Sequence, residues 1–319
     1  RQPALGRLAA GAPGRGVMRV VGAKAIDAIL DRNGLVEALR AAFREETTVP
    51  VRHHHAIPRA DESDAMLLLM PAWQSHAGLG GFGHVGVKIV GVFPGNPQKG
   101  AETVQGSFLL LSGETGAPVA FLDGKHLTLW RTAAASALAA DYLARPDASR
   151  LLMIGAGALA GHLIPAHAAI RPIREVVIWN RTPGRAEALA ARLGATDFDI
   201  RITDDLEGAL EEADIVSAAT LSTLPLVAGA KLKPGAHVDL VGGFTPDMRE
   251  ADDEAITRAR VYVDTREGAT AEAGDIVQPL VTGALRQIAG DLFDLCRGVV
   301  AGRESPTEIT LSKSVGTAV

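Results

Sequence analysis

The sequence predicts an α/β protein, a doubly wound parallel sheet preceded by an α+β domain. Three observations carry this expectation. From Arg150 onward short apolar strands alternate with helical segments, the rhythm of βαβ units that build a parallel sheet. One of those strands, Leu151–Ile154, runs directly into a glycine-rich turn and a helix. The first third instead places several strands in succession, separated by turn signals. The 319 residues suit two domains, and 47% hydrophobic with 22% charged residues excludes global disorder. The single cysteine, Cys296, excludes an intrachain disulfide framework and fits a reducing, cytoplasmic setting. A net charge of −5 argues against a nucleic-acid binder that lives off phosphate contacts.

Residues 1–17, rich in Arg, Gly, Ala and Pro, lack an apolar signal-peptide core and are expected to be a disordered or non-native lead. Residues 23–47 predict one helix, with Ile26, Ile29, Leu30, Leu35, Leu39 and Phe43 at helical spacing. Residues 51–57, 65–71 and 83–93 predict strands, the last closed by Pro94-Gly95-Asn96-Pro97. Residues 106–112 and 118–122 predict a hairpin through Gly113-Glu114-Thr115-Gly116. An alanine-rich helix follows over 127–144, opened by Arg131. Strands are then expected at 151–154, 175–179, 215–219, 237–240 and, as the fifth, 261–263. Helices are expected at 184–193 and 205–212, and a last one from 284 to about 301. The uncharged run 151–170 has the length of a membrane span, but its glycines and Pro165 argue against a spanning helix and so against a membrane partner.

The turn after the first parallel strand reads Gly155-Ala156-Gly157-Ala158-Leu159-Ala160, the G-x-G-x-x-A variant of the dinucleotide fingerprint. Gly155 permits the tight turn, Gly157 the close approach of a pyrophosphate, and Ala160 close helix–strand packing. The helix N-terminus offers free N–H groups to phosphates. The next strand ends in Asn180-Arg181-Thr182, near the offset at which a carboxylate reads the ribose of NAD. A carboxylate there would repel a 2′-phosphate. The three residues present instead supply neutral and cationic donors, which predicts NADPH, with NADH as the alternative.

Outside this segment three cations stand out. Arg52 lies at a strand start, Lys88 inside the apolar strand "GVKIV", and Arg131 in the alanine-rich helix. A buried lysine needs a partner, and two arginines can clamp a carboxylate bidentately. His53-His54-His55 lacks the companions of a metal set, so no metal is expected. Cys296 reads as core. Asp252-Asp253-Glu254 reads as a solvated helix start.

Five segments, "KHLTLWRTAAASALAA", "VKIVGVFPGNP", "GAGALA", "VGGFTPDMREAD" and "EITLSKSVGTAV", occur in an order that resembles the ornithine cyclodeaminase/μ-crystallin family. The resemblance spans Met18 to Val319. It implies a substrate and dimerisation domain, residues 18–130 completed by 296–319, around a Rossmann dinucleotide-binding domain, residues 131–295. It implies that Arg52, Lys88 and Arg131 are substrate-carboxylate and reaction-centre residues. It further implies that Thr220 and Ser222 line the nicotinamide ribose side. Lys313, Ser314 and Gly316 fall in its nicotinamide-proximal tail, and relatives continue with a helical segment past Val319.

One departure directs the functional expectation. Where the family's cyclodeaminases carry Gly-Gly-Asp, this chain has Gly242-Gly243-Phe244, and Asp247 reads as a cap for the following helix. Pro246 to Glu250 resemble the ketimine reductase branch instead. The expected activity is NAD(P)H-dependent reduction of a cyclic imino acid, Δ1-pyrroline-2-carboxylate or its six-membered homologue, by a homodimer. Ornithine cyclodeamination, an alanine dehydrogenase-type reaction and a non-catalytic small-ligand carrier are the alternatives.

Overall fold

A computed structural model describes residues 18–45, 47–50, 52–74 and 83–316. The expectation for 1–17, the start of the strand at 51 and the end of the tail therefore lie outside the described residues. The chain divides into two units. The first comprises the chain before Leu35 and Ala41–Trp130, and the second Leu35–Arg40 and the chain from Arg131 on.

The first unit contains β1 (Arg19–Val21), β2 (Thr47–Thr48), β3 (His53–Ile57), β4 (Ala65–Gln74), β5 (His84–Val92), β6 (Val104–Ser112) and β7 (Pro118–Asp123). They form one sheet of order β1-β7-β6-β5-β4-β2, with β3 also on β4. All pairings are antiparallel except β1 on β7. The predicted single helix over 23–47 is corrected to α1 (Ala23–Ile29) and α2 (Arg32–Arg44). The break has a local cause: Leu30 is extended, and the Asp31 carboxylate accepts from the Gly34 N–H at 2.7 Å, capping α2. Asp27 of α1 accepts from Trp130 Nε1 at 2.9 Å and lies 2.6 Å from His126 Nε2, tying α1 to the start of α3 (Gly124–Leu143). Arg131 thus sits inside this helix rather than opening it.

The second unit is a sheet of eight parallel strands. They are β8 (Arg150–Ile154), β9 (Glu175–Trp179), β10 (Asp199–Thr203), β11 (Ile215–Ala218), β12 (His237–Leu240), β13 (Ala259–Val263), β14 (Gly290–Asp291) and β15 (Ile309–Lys313). Their order is β10-β9-β8-β11-β12-β15-β13-β14. The left half is the 3-2-1-4-5 order of a doubly wound fold. Between the strands run α4 (Ala160–Ile170), α5 (Pro183–Leu193), α6 (Leu206–Glu212), α7 (Asp253–Arg258), α8 (Arg266–Glu272), α9 (Gly274–Thr282) and α10 (Leu292–Arg297). β8, β11 and β12 are almost wholly buried, as strands covered on both faces must be. On α3, Ala133–Ala140 are all buried, and small side chains let this helix lie close to its neighbours.

Two expectations about the C-terminal third change. The strand at 261–263 does not follow β12. β15 inserts between them, pairing Leu240 with Lys313 on one side and Val263 with Lys313 on the other. The described part of 296–319 therefore belongs with the dinucleotide sheet, not with the first domain. All five residues of β15 are buried, so it needs a partner strand on each edge. The long helix expected from 284 to about 301 is reduced to α10. A reciprocal Asp291–Asp294 capping box starts it, and Gly298, at φ +69°, ends it.

Candidate active site

β8 delivers the chain to the fingerprint turn. Gly155 has φ +102°, and its N–H donates to Trp179 O at 2.9 Å. A Cβ there would stand 2.7 Å from Ala219 O, so both the conformation and the approach to the β11 loop require glycine. Gly157 and Ala158 are exposed, and a Cβ on Gly157 would meet nothing within 4 Å. Leu159 caps α4 without a side-chain hydrogen bond, which leaves the first N–H groups of the helix to a ligand, and Ala160 is fully buried. This open cradle at the C-terminal end of β8, where the strand order reverses, fits the pyrophosphate of a dinucleotide.

Asn180 departs from the role expected of it. Its Oδ1 accepts from the Ala156 N–H at 3.1 Å, and its Nδ2 donates to Thr182 O at 2.8 Å. The side chain braces the fingerprint turn against the end of β9. Arg181 and Thr182 are exposed beside it.

On the other side of β8, Thr220 donates from both N and Oγ1 to Glu250 Oε1, at 2.7 and 2.9 Å. Ser222 Oγ donates to Leu224 O at 2.6 Å, so this hydroxyl shapes its own loop. Ser314 Oγ donates to Asp264 Oδ2 at 2.9 Å, and the same oxygen accepts from Val315 N and Gly316 N at 3.0 and 2.8 Å. Burial pushes the Asp264 carboxyl up, against the opposing effect of these donors. Gly316, at φ +93°, lies against Arg131: a Cβ there would stand 3.0 Å from one guanidinium nitrogen. Arg131, Ser314 and Gly316 are thus brought together within the second unit.

Sequence reasoning missed the roles of Asp264, Glu250 and Asp275. All three are buried and all bind backbone N–H groups, but in the sequence they resemble solvated loop and helix-start acids. Asp247 is exposed and accepts from Thr245 Oγ1 at 2.5 Å, while the cap of α7 is Asp252, so the capping role expected of Asp247 is corrected.

In the first unit, register places Lys88 and the strand that follows Arg52. Lys88 of β5 lies between Met70 of β4 and Phe108 of β6. Arg52 immediately precedes β3, whose first residue, His53, pairs with Leu69 of β4. Arg52 thus leads into a strand on one side of β4, and Lys88 lies in the strand on the other. Both are half-buried. His53, His54 and His55 are exposed along the edge strand β3, and Cys296 is buried on α10. Among the described residues no helix is long and apolar enough to cross a membrane.

The fold and the fingerprint define a dinucleotide-binding protein of the doubly wound class. The model of the ornithine cyclodeaminase/mu-crystallin family matches residues 18–319, and the chain belongs to that family. It is similar to a Delta(1)-pyrroline-2-carboxylate reductase of Paracoccus denitrificans, 39% identical over 276 residues, 83% of this chain and 85% of the relative. Among solved structures it is similar to the Thermococcus litoralis Delta(1)-pyrroline-2-carboxylate reductase in complex with NADH and L-proline. That similarity has a TM-score of 0.83 and 31% identity, and covers 94% of this chain and 92% of the other. An archaeal alanine dehydrogenase dimer with bound NAD matches with TM-score 0.83 and 27% identity, covering 94% and 91%.

Proposed function

We propose that the chain is an NAD(P)H-dependent oxidoreductase that reduces the C=N bond of a cyclic imino acid, Δ1-pyrroline-2-carboxylate or Δ1-piperideine-2-carboxylate, to L-proline or L-pipecolate. What supports this most directly is the likeness, over 94% of the chain, to the Thermococcus enzyme that holds NADH and L-proline. When bound, the nicotinamide supplies the hydride that the imine carbon accepts. Gly155–Leu159 hold the pyrophosphate, with Thr220, Ser222 and Ser314 on the nicotinamide side. Arg52 and Arg131 take the substrate carboxylate through charge-assisted hydrogen bonds. Lys88 stabilises the charge at the imine or relays a proton to it, since the protonated imine is the better electrophile. Phe244 stands where a cyclodeaminase would place its aspartate, which disfavours ornithine as substrate. The test is NAD(P)H oxidation against both imino acids and against pyruvate with ammonia or methylamine, with ornithine and NAD as a separate arm. Reduction of pyruvate with ammonia at the higher kcat/KM, or release of ammonia from ornithine, would overturn the reading.

Cofactor preference is expected to favour NADPH. Arg181 is exposed at the adenosine-ribose position, and no carboxylate stands among residues 180–182. A charge-assisted contact of about 1.5–3 kcal/mol corresponds to roughly 10- to 100-fold in affinity. Arg181→Ala should raise KM for NADPH far more than for NADH. Asn180→Asp should keep an acceptor for the Ala156 N–H while repelling a 2′-phosphate, moving preference toward NADH. Equal kcat/KM for the two cofactors in the unmutated enzyme would defeat this assignment.

The protein is further proposed to be a cytoplasmic homodimer through the sheet of its first unit. Leu67–Leu69 and Leu109–Leu111 on that sheet are only half-buried, an apolar surface of the kind that self-association covers. Sedimentation at micromolar concentration should give twice the chain mass, and a monomer would contradict the proposal.

A further inference from the structure

Three charged side chains from separate segments meet at the C-terminal end of the second sheet. Lys313 ends β15, Glu250 follows the β12 loop, and Asp275 lies in the first turn of α9. All three side chains are fully buried, with Lys313 Nζ 3.2 Å from Asp275 Oδ2 and 3.6 Å from Glu250 Oε2. Glu250 is the hub. Its Oε1 accepts from Thr220 N and Oγ1, and its Oε2 from Gly242 N at 2.8 Å and Gly243 N at 3.3 Å. Asp275 Oδ1 in turn accepts from Glu250 N at 2.7 Å and Ala251 N at 3.0 Å. A Cβ on Gly243 would stand 3.4 Å from both Lys313 Nζ and Asp275 Oδ2, and one on Gly242 would overlap the Thr220 backbone. The loops after β11 and β12 are therefore packed backbone to backbone and pinned from beneath by one buried ionic group.

In the 3-2-1-4-5 order the loop after β9 faces the adenosine half of a dinucleotide, and the loops after β11 and β12 face the other half. A buried ion pair is a poor device for stability, because desolvation offsets the attraction and apolar replacements are often neutral or better. What such a group supplies here is a fixed geometry for the loops that leave the ends of β11 and β12 beside β15. We propose that Lys313, Asp275 and Glu250 are positioning residues that hold the Thr220 and Gly242–Gly243 loops in the shape that seats the nicotinamide half of the cofactor. Burial pushes the Glu250 carboxyl up and Lys313 opposes that shift, so the ammonium also helps to keep the hub an acceptor for its donors. The proposal rests on the dinucleotide reading of the site and extends it.

Calorimetric titration of the full-length protein with NADH and, separately, with ADP-ribose distinguishes the two readings. ADP-ribose retains the part bound by Gly155–Leu159 and lacks the nicotinamide. Lys313→Met is expected to weaken NADH binding by about 10-fold, the loss of one or two well-aligned contacts, and to leave ADP-ribose binding unchanged. Asp275→Asn keeps Oδ1 for its two N–H donors and alters only the atom facing Lys313. It should show the same split, and it decides the matter alone if Lys313→Met does not fold. Equal weakening of both ligands, or a lower Tm with neither affinity changed, would reduce the group to a structural role. A wild type that binds neither ligand would overturn the dinucleotide reading and this inference with it.

Discussion

Arg131→Ala is expected to lower kcat/KM for the imino acid by about 10²- to 10³-fold while leaving NAD(P)H affinity near that of the unmutated protein. The expectation follows from what a guanidinium does for a carboxylate. Two parallel N–H···O bonds fix orientation as well as charge, and truncating one side leaves the carboxylate desolvated without its partner. The structure adds why the loss should be local. Arg131 lies within α3, whose next turns, residues 133–140, are buried and mostly alanine, and its side chain reaches Gly316. Gly316 is held independently of the arginine by its N–H to Asp264 at 2.8 Å, and the same carboxylate holds Val315 and Ser314. Removing the guanidinium therefore leaves the tail anchored and the helix packed. Arg131→Lys restores the charge but not the fork, and it should recover only part of the activity. Steady-state kinetics in which Arg131→Ala matches the unmutated enzyme would remove this residue from the carboxylate clamp.

Much of this arrangement is legible in the sequence because it is set by local pattern. Buried parallel strands are continuous apolar runs, so β8, β9, β11 and β12 appear at nearly their observed limits. The fingerprint turn is equally readable, since Gly155 and Gly157 answer to backbone needs that no other residue meets. Strand order is different. β15 carries the same alternation of Ile309, Leu311 and polar residues that an edge strand would, and nothing local says that it lies between β12 and β13. That choice is made by tertiary pairing, which uses its buried edges on both sides. The break between α1 and α2 depends on a single cap, Asp31 to Gly34, inside an otherwise continuous helical periodicity. The acids are the least legible. Glu250 sits in "MREADDEA", where Asp252, Asp253 and Glu254 do start a helix, as expected, and only the fold turns Glu250 inward onto Thr220 and Gly242. Asn180 was readable as a polar residue at the right offset. That its amide would be engaged by Ala156 and Thr182 depended on how the turn and the end of β9 meet.

Lys88→Met is expected to abolish most of the activity, by about 10²- to 10⁴-fold in kcat/KM, in a protein that stays folded. Position 88 is the middle of β5, paired with Met70 on one neighbour and Phe108 on the other. Methionine keeps the unbranched stem that packs along these side chains and removes only the ammonium. The strand itself makes modest demands on this residue, because its ladder hydrogen bonds come from the backbone and its flanking Val87 and Ile89 supply the β-branched character. The stability change should therefore be small, within the range of about 1 kcal/mol typical of partly exposed substitutions. The chemical change is large. A half-buried ammonium in the middle of β5 is suited to a carboxylate and to an imine whose nitrogen must gain a proton. Without it the hydride acceptor is the neutral imine, a much weaker electrophile. Thermal melting should place Lys88→Met close to the unmutated protein, and single-turnover reduction should show the loss in the chemical step rather than in NAD(P)H binding. Full activity in the folded variant would exclude Lys88 from the reaction centre.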